Sequence, residues 1–221
     1  MSDLPPSVFP PDELPPPKEP IFRIPPATGW LIAINILVHL VRQILPAAQD
    51  ELVVNQLGFN ASSVYGPFGP LDLLSLFTYQ FLHGGWDHLG VNMVSLLAFG
   101  AGVERPIGKL RFVALYITCG VAGALFESLF AAPRGDDVLI GASASISGVF
   151  GALMIIWSLN RQGSHPMGML PTALLWIGLM AITGILGVGA QGSPVAWLAH
   201  IGGFLAGMAL GFIFRPKNLL V

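Results

Sequence analysis

The chain has 221 residues, 53% of them hydrophobic and 10% charged, with ten basic and twelve acidic side chains for a net charge of −2. An ordinary soluble domain carries about 25% charged residues, and the mean hydropathy here is +0.71. This excludes a disordered chain and a basic nucleic-acid binder, while the single cysteine, Cys119, excludes an internal disulfide or a Cys-rich zinc module. No Asp, Glu, Lys or Arg occurs in residues 24–41, 88–103, 112–126, 138–160 or 162–214. A crossing helix needs roughly 17–25 mainly apolar residues, so the pattern predicts an all-α, multi-pass membrane protein.

Residues 1–26 hold ten of the nineteen prolines, in runs such as Pro15-Pro16-Pro17. They predict a disordered, partly polyproline-II tail on the cytoplasmic side. They show neither the basic and apolar regions of a secretory signal nor an Arg-rich transit peptide. Residues 27–221 are predicted to form one six-helix membrane domain. Its spans fall at about 28–47, 84–104, 110–131, 141–159, 171–188 and 195–214. The stretch 162–214 is too long for one crossing, and the Gly187–Pro194 region supplies the turn. No internal repeat supports an inverted-repeat transporter.

The basic residues orient this bundle. With the N-terminus inside, Lys18, Arg23, Arg105, Lys109, Arg111, Arg161, Arg215 and Lys217 lie on the cytoplasmic side, against Arg42 and Arg134 outside. Segment 48–83 is then an external loop. Its Leu71, Leu73, Leu74, Leu76 and Phe77 predict an interfacial or partly embedded helix.

Polar side chains inside a membrane are costly and point to function. Ser143 opens the fourth span, His200 lies about one turn into the sixth, and His88 and Asn92 lie near the outer end of the second. All four share one depth. Ser143, Ser147 and Gly151 form one small-residue stripe, and His200, Gly203, Gly207 and Gly211 form another. Facing stripes let membrane helices pack closely, which would set a nucleophile beside a base. The plainer reading is packing alone, with Ser145 and Ser147 each bonding a carbonyl one turn back.

These residues resemble a known family. Gly141-Ala-Ser143-Ala looks like the Gly-x-Ser-Gly motif of rhomboid intramembrane serine proteases. Ala199-His200-Ile-Gly202-Gly203-Phe-Leu-Ala-Gly207 resembles that family's last-helix motif, and His88-Leu-Gly-Val-Asn92 its second-helix motif. Val103-Glu104, with Gly108 beyond, is similar to the end of that helix. The resemblance implies a rhomboid-like bundle, with Ser143 as nucleophile, His200 as general base and then acid, and His88 and Asn92 as oxyanion donors. It makes His83 structural. Two departures stand out: Ala144 replaces the usual Gly, adding a methyl that could crowd the contact between the fourth and sixth spans, and the external loop lacks the family's common Trp-Arg pair.

Residues 138–214 contain no Asp or Glu, so a Ser-His dyad is favoured over a triad. A third member would have to come from Glu127, Asp136, Asp137 or the external loop. Expected substrates are membrane proteins cut within or beside a transmembrane segment, in a bacterial-type plasma membrane. The lipid bilayer is the other expected partner, and nucleic acid is not one. No cofactor or metal is expected: no His-Glu-x-x-His occurs, and His83 with His88 makes a poor zinc site. The alternatives are a catalytically inactive member that binds membrane proteins and a small channel or transporter. The latter fits poorly with the apolar run Gly203–Phe214.

Overall fold

The computed structural model describes residues 24–130, 138–159, 169–185 and 196–216. Its helices are α1 (Pro26–Gln43), α2 (Ala47–Leu57), α3 (Pro70–Thr78), α4 (Trp86–Ile107), α5 (Lys109–Phe130), α6 (Ser143–Leu159), α7 (Met169–Ile185) and α8 (Trp197–Phe214). A two-residue antiparallel ladder joins β1 (Phe59–Asn60) to β2 (Val138–Leu139). Among the described residues the fold is therefore all-α apart from this clip. The six predicted apolar segments coincide with α1, α4, α5, α6, α7 and α8. Nearly all of the predicted tail, and the end of the predicted fifth span, lie outside the described residues.

Differences from the expected boundaries have local causes. The first segment stops at Gln43 rather than running to 47, because Pro46 disfavours helix in the residue before it and has no N–H to donate. Segment 48–83 is more structured than a loop, holding α2, α3 and two short 3-10 turns. On α3, Leu71, Leu73, Leu74 and Phe77 are exposed and Leu76 is buried, so the helix leaves an apolar face uncovered by the rest of the fold.

By length and composition, two described helices are apolar enough to cross a membrane, Lys109–Phe130 and Trp197–Phe214; Ser143–Leu159 and Leu170–Met180 are shorter apolar helices. Large apolar side chains stand outward on every described helix, including Trp30, Leu37, Val91, Val94, Leu110, Leu129, Leu174 and Ile213. Water would penalise so much exposed apolar surface, and lipid does not.

The helix ends are fastened by side chains far away in sequence. Pro25 offers no cap to α1. Glu104, buried near the end of α4, accepts instead from Ala27 N–H at 2.9 Å, Thr28 N–H at 2.7 Å and Thr28 Oγ1 at 2.8 Å. A carboxylate thus sits on the positive end of α1 and meets its unpaired amides. Gly108, at φ +84°, then reverses the chain into α5, a conformation that a side chain would strain.

At the other end of α1, Arg42 is a structural residue as well as a topology signal. Its Nε and Nη2 clasp Asp50 at 2.6 and 3.0 Å, while Nη1 donates to the His83 carbonyl at 2.7 Å. That one guanidinium joins α1 and α2 to the approach to α4.

The central helix is α6, buried from Ala144 to Ile156 except for the partly buried Phe150, as expected of a helix apolar nearly all round. It packs on α4, α5, α7 and most extensively on α8. The main core surrounds it, with Leu96, Val103, Phe112, Leu115, Tyr116 and Val149 fully buried.

Candidate active site

Ser143 is the first residue of α6 and is half-buried. Its first-turn N–H groups have no carbonyl ahead of them within the helix, leaving donors at the helix start. The chain enters this turn through Gly141 at φ +123°, a conformation that L side chains rarely adopt. The Gly141 N–H donates to the Tyr79 carbonyl at 3.0 Å, and the ladder between β1 and β2 holds the preceding residues.

Gly141 is also where His88 and Asn92 arrive. A Cβ built there would lie 2.7 Å from His88 Nε2 and 3.8 Å from Asn92 Nδ2. Both α4 side chains therefore reach the backbone two residues before Ser143. The Asn92 amide nitrogen is buried without a hydrogen-bond partner among the described residues. A buried donor left open normally costs about 1–3 kcal/mol, and it suits a site where an oxygen ligand arrives during reaction.

His200 lies in the first turn of α8, buried, and within electrostatic range of His88. Its Nδ1 has no partner among the described residues. The depth of α8 against α6 is set by glycines. A Cβ at Gly203 would overlap the Ala144 carbonyl, one at Gly207 the Gly148 carbonyl, and one at Gly211 would lie 2.7 Å from Ala152 Cα. The helices run in parallel register, and His200, one turn before Gly203, falls level with the Gly141–Ser143 turn.

The seam differs from the expected one on its α6 side. Ala144, Gly148, Gly151 and Ala152 face α8, rather than Ser143, Ser147 and Gly151. The stripe is rotated by one residue because α6 must also meet α5 and α4, and Ser145 turns toward α5, its Oγ 2.5 Å from a Cβ built at Gly120. Ser145, expected to bond its own helix, donates to Gln80 Oε1 at 2.7 Å, and Gln80 Nε2 reaches the Leu76 carbonyl at 3.1 Å. The Ala144 methyl lies toward Gly123 on α5, which has no side chain.

His83 is fully buried outside this cluster, edge-on to His88 at 5.1 Å between ring centroids. Its backbone carbonyl is the one Arg42 holds. Four residues with clear structural duties escaped the sequence reading as such: Glu104, Arg42, Gln80 and Glu127. The only signal for them was a charged or polar side chain at the edge of an apolar stretch. Among the described residues, no group of three or more His, Cys, Asp or Glu could hold a metal ion.

Fold and site together define a helical membrane protein with polar, reactive side chains gathered at the start of its central helix. Comparison with known proteins gives its family: residues 70–217 match the rhomboid domain, and the chain belongs to the rhomboid family. It is 31% identical over 241 residues to RHOMBOID-like protein 5 of Arabidopsis thaliana, covering 92% of this chain and 75% of that one. Two bacterial relatives carry protease names. Putative rhomboid protease YdcA of Bacillus subtilis (strain 168) is 30% identical over 199 residues, covering 92% of its length and 89% of this chain. Rhomboid protease AarA of Providencia stuartii is 26% identical over 217 residues, with 75% of its length and 88% of this chain covered. Several other Arabidopsis relatives are longer, the match spanning 34–45% of their length. The chain is thus an integral membrane protein of a family of intramembrane proteases that also includes inactive members.

Proposed function

We propose that this chain is an active intramembrane serine protease working through a Ser143–His200 dyad. The observation that carries this reading is the turn at Gly141. His88 Nε2, the open Asn92 amide and the first turn of α6 all converge there beside Ser143. Ser143 Oγ attacks the substrate carbonyl carbon while His200 takes its proton. The oxyanion is held by the Asn92 amide, the His88 ring N–H and a first-turn N–H of α6. The intermediate collapses as His200 returns the proton to the departing amine, leaving an acyl-Ser143 ester. Water, deprotonated by His200, then attacks this ester, and His200 returns that proton to Ser143 Oγ as the acid is freed.

The reading includes six crossings by α1, α4, α5, α6, α7 and α8, a cytoplasmic tail over 1–26 and a membrane domain over 27–221. It has the N-terminus inside, in a bacterial-type plasma membrane. Substrates are membrane proteins whose helix, or the stretch next to it, enters sideways near the outer face. A carbonyl inside a helix is shielded by its own hydrogen bond, so small or helix-breaking residues near the cut favour cleavage. The Ala144 methyl lies toward Gly123 of α5, which has no side chain to displace, and this supports activity over the inactive alternative.

The test is fluorophosphonate labelling of the purified chain, together with cleavage of a reporter transmembrane substrate. Labelling at Ser143 is expected, and His200→Ala is expected to abolish labelling and cleavage alike. Full cleavage by Ser143→Ala would falsify the assignment.

A further inference from the structure

Glu127 is an acid of α5 facing the bundle, and the dyad chemistry leaves it without a role. Its Oε2 accepts from the Ala199 N–H at 2.8 Å. Ala199 is the third residue of α8, so its N–H is one of the four lacking a carbonyl inside the helix, and Ala196, the residue before α8, contributes no side-chain cap. The carboxylate fills that need at the positive end of the helix dipole.

One turn earlier on α5, Gly123 meets the other side of the same residue. A Cβ at Gly123 would lie 2.5 Å from the Ala199 carbonyl oxygen and 2.8 Å from Ala144 Cβ. A single face of α5 thus holds Ala199 by its N–H and its carbonyl, and also receives Ala144. Ala199 directly precedes His200, and Ala144 directly follows Ser143.

We infer that Glu127 is a positioning residue for His200: its carboxylate ties the first turn of α8 to α5 and so sets the depth and rotation of the imidazole relative to Ser143. This rests on the dyad reading above. A Ser-His-Asp triad steers its imidazole by a carboxylate on the ring nitrogen; here the acid acts one peptide away, through the backbone. Gly123 contributes by letting the α8 backbone come close enough for that bond.

The experiment compares Glu127→Ala and Glu127→Gln with the intact chain, measuring kcat and KM on a reporter transmembrane substrate. Active sites are counted by fluorophosphonate, so that lost folded protein does not register as lost kcat. Displacement of the imidazole by about 1 Å lowers kcat of Glu127→Ala by about 10–100-fold, with KM within about 2-fold. The amide oxygen of Gln accepts the same bond, so Glu127→Gln recovers to within about 3-fold of the intact chain. Wild-type kcat in Glu127→Ala overturns the inference, as does a Gln variant as impaired as the Ala variant. Should Glu127→Ala not fold, Glu127→Asp decides. Its arm is one methylene shorter and is expected to cost about 10-fold in kcat, and an unchanged kcat overturns the inference. Persistent labelling in His200→Ala would instead sink the dyad reading on which this one stands.

Discussion

Replacing Gly203 by Ala perturbs the α6–α8 contact on which the proposed Ser143–His200 dyad depends. The added Cβ would overlap the Ala144 carbonyl oxygen and lie 2.9 Å from its carbon and 3.3 Å from Cα. Ordinary van der Waals contact begins at 3.4 Å. Every opposing atom is backbone, so no side chain can swing aside. The helices must part by about 1 Å, since close-packed interiors hold no slack. Overpacking of this kind costs about 1–3 kcal/mol, and a 1 Å misplacement at a reacting centre can cost about 10²-fold in rate.

Gly211→Ala is the matched control. It faces Ala152 Cα at 2.7 Å on the same seam, but sits about 16 Å farther along α8 than His200. Both variants should melt lower by similar amounts. Measured as kcat per fluorophosphonate-titrated site in liposomes, Gly203→Ala should fall about 10–100-fold, and Gly211→Ala by no more than about 3-fold, because distant sites act independently. Equal losses in the two variants, or wild-type turnover in Gly203→Ala, would refute the claim that the seam positions the dyad.

Other substitutions probe the fastenings. Glu104→Ala strands the Ala27 and Thr28 donors at the start of α1 and should cost roughly 3–5 kcal/mol, read as a lower denaturation midpoint; an unchanged midpoint rejects the capping role. Arg42→Met releases Asp50 and the His83 carbonyl. Because Asp50 is about a third exposed, the loss should be about 1–3 kcal/mol, below that for breaking a fully buried pair. Limited proteolysis near α2 should rise in step.

His83 gives a pH signature. Burial, reinforced by the neighbouring His88 and His39, pushes its imidazole down to about 3, whereas in the unfolded chain it titrates near 6.5. Stability is therefore complete above pH ~6.5 and falls toward the folded value, by up to about 1.4 kcal/mol per pH unit. Melting temperature should drop between pH 7 and pH 5, and by less in His83→Gln. An equal drop in both proteins removes His83 as the cause.

Much of the architecture is legible along the chain because lipid imposes a coarse rule. Charge is scarce in apolar helices, so the gaps between charged residues outline α1, α4, α5, α6, α7 and α8 before any packing is known. The candidate site residues Ser143, His200, His88 and Asn92 are legible for the complementary reason: a polar side chain stands out in an apolar segment. What periodicity along α6 does not specify is which way its faces point. Ser143, Ser147 and Gly151 form as regular a stripe as Ala144, Gly148 and Ala152, and only the simultaneous demands of α4, α5 and α8 choose between them.

Scarce charge by itself determined the class of this protein, the positions of its apolar helices and the four polar residues that stand out within them. The tertiary structure alone decided which surfaces of α6 and α8 touch, where the Ala144 methyl goes, and what Glu104, Arg42, Gln80 and Glu127 do. Lipid acts on each segment separately, so its demands can be read one residue at a time. Helix caps and close backbone contacts join residues as far apart as Thr28 and Glu104 or Glu127 and Ala199, and they exist only once the chain has brought those partners together.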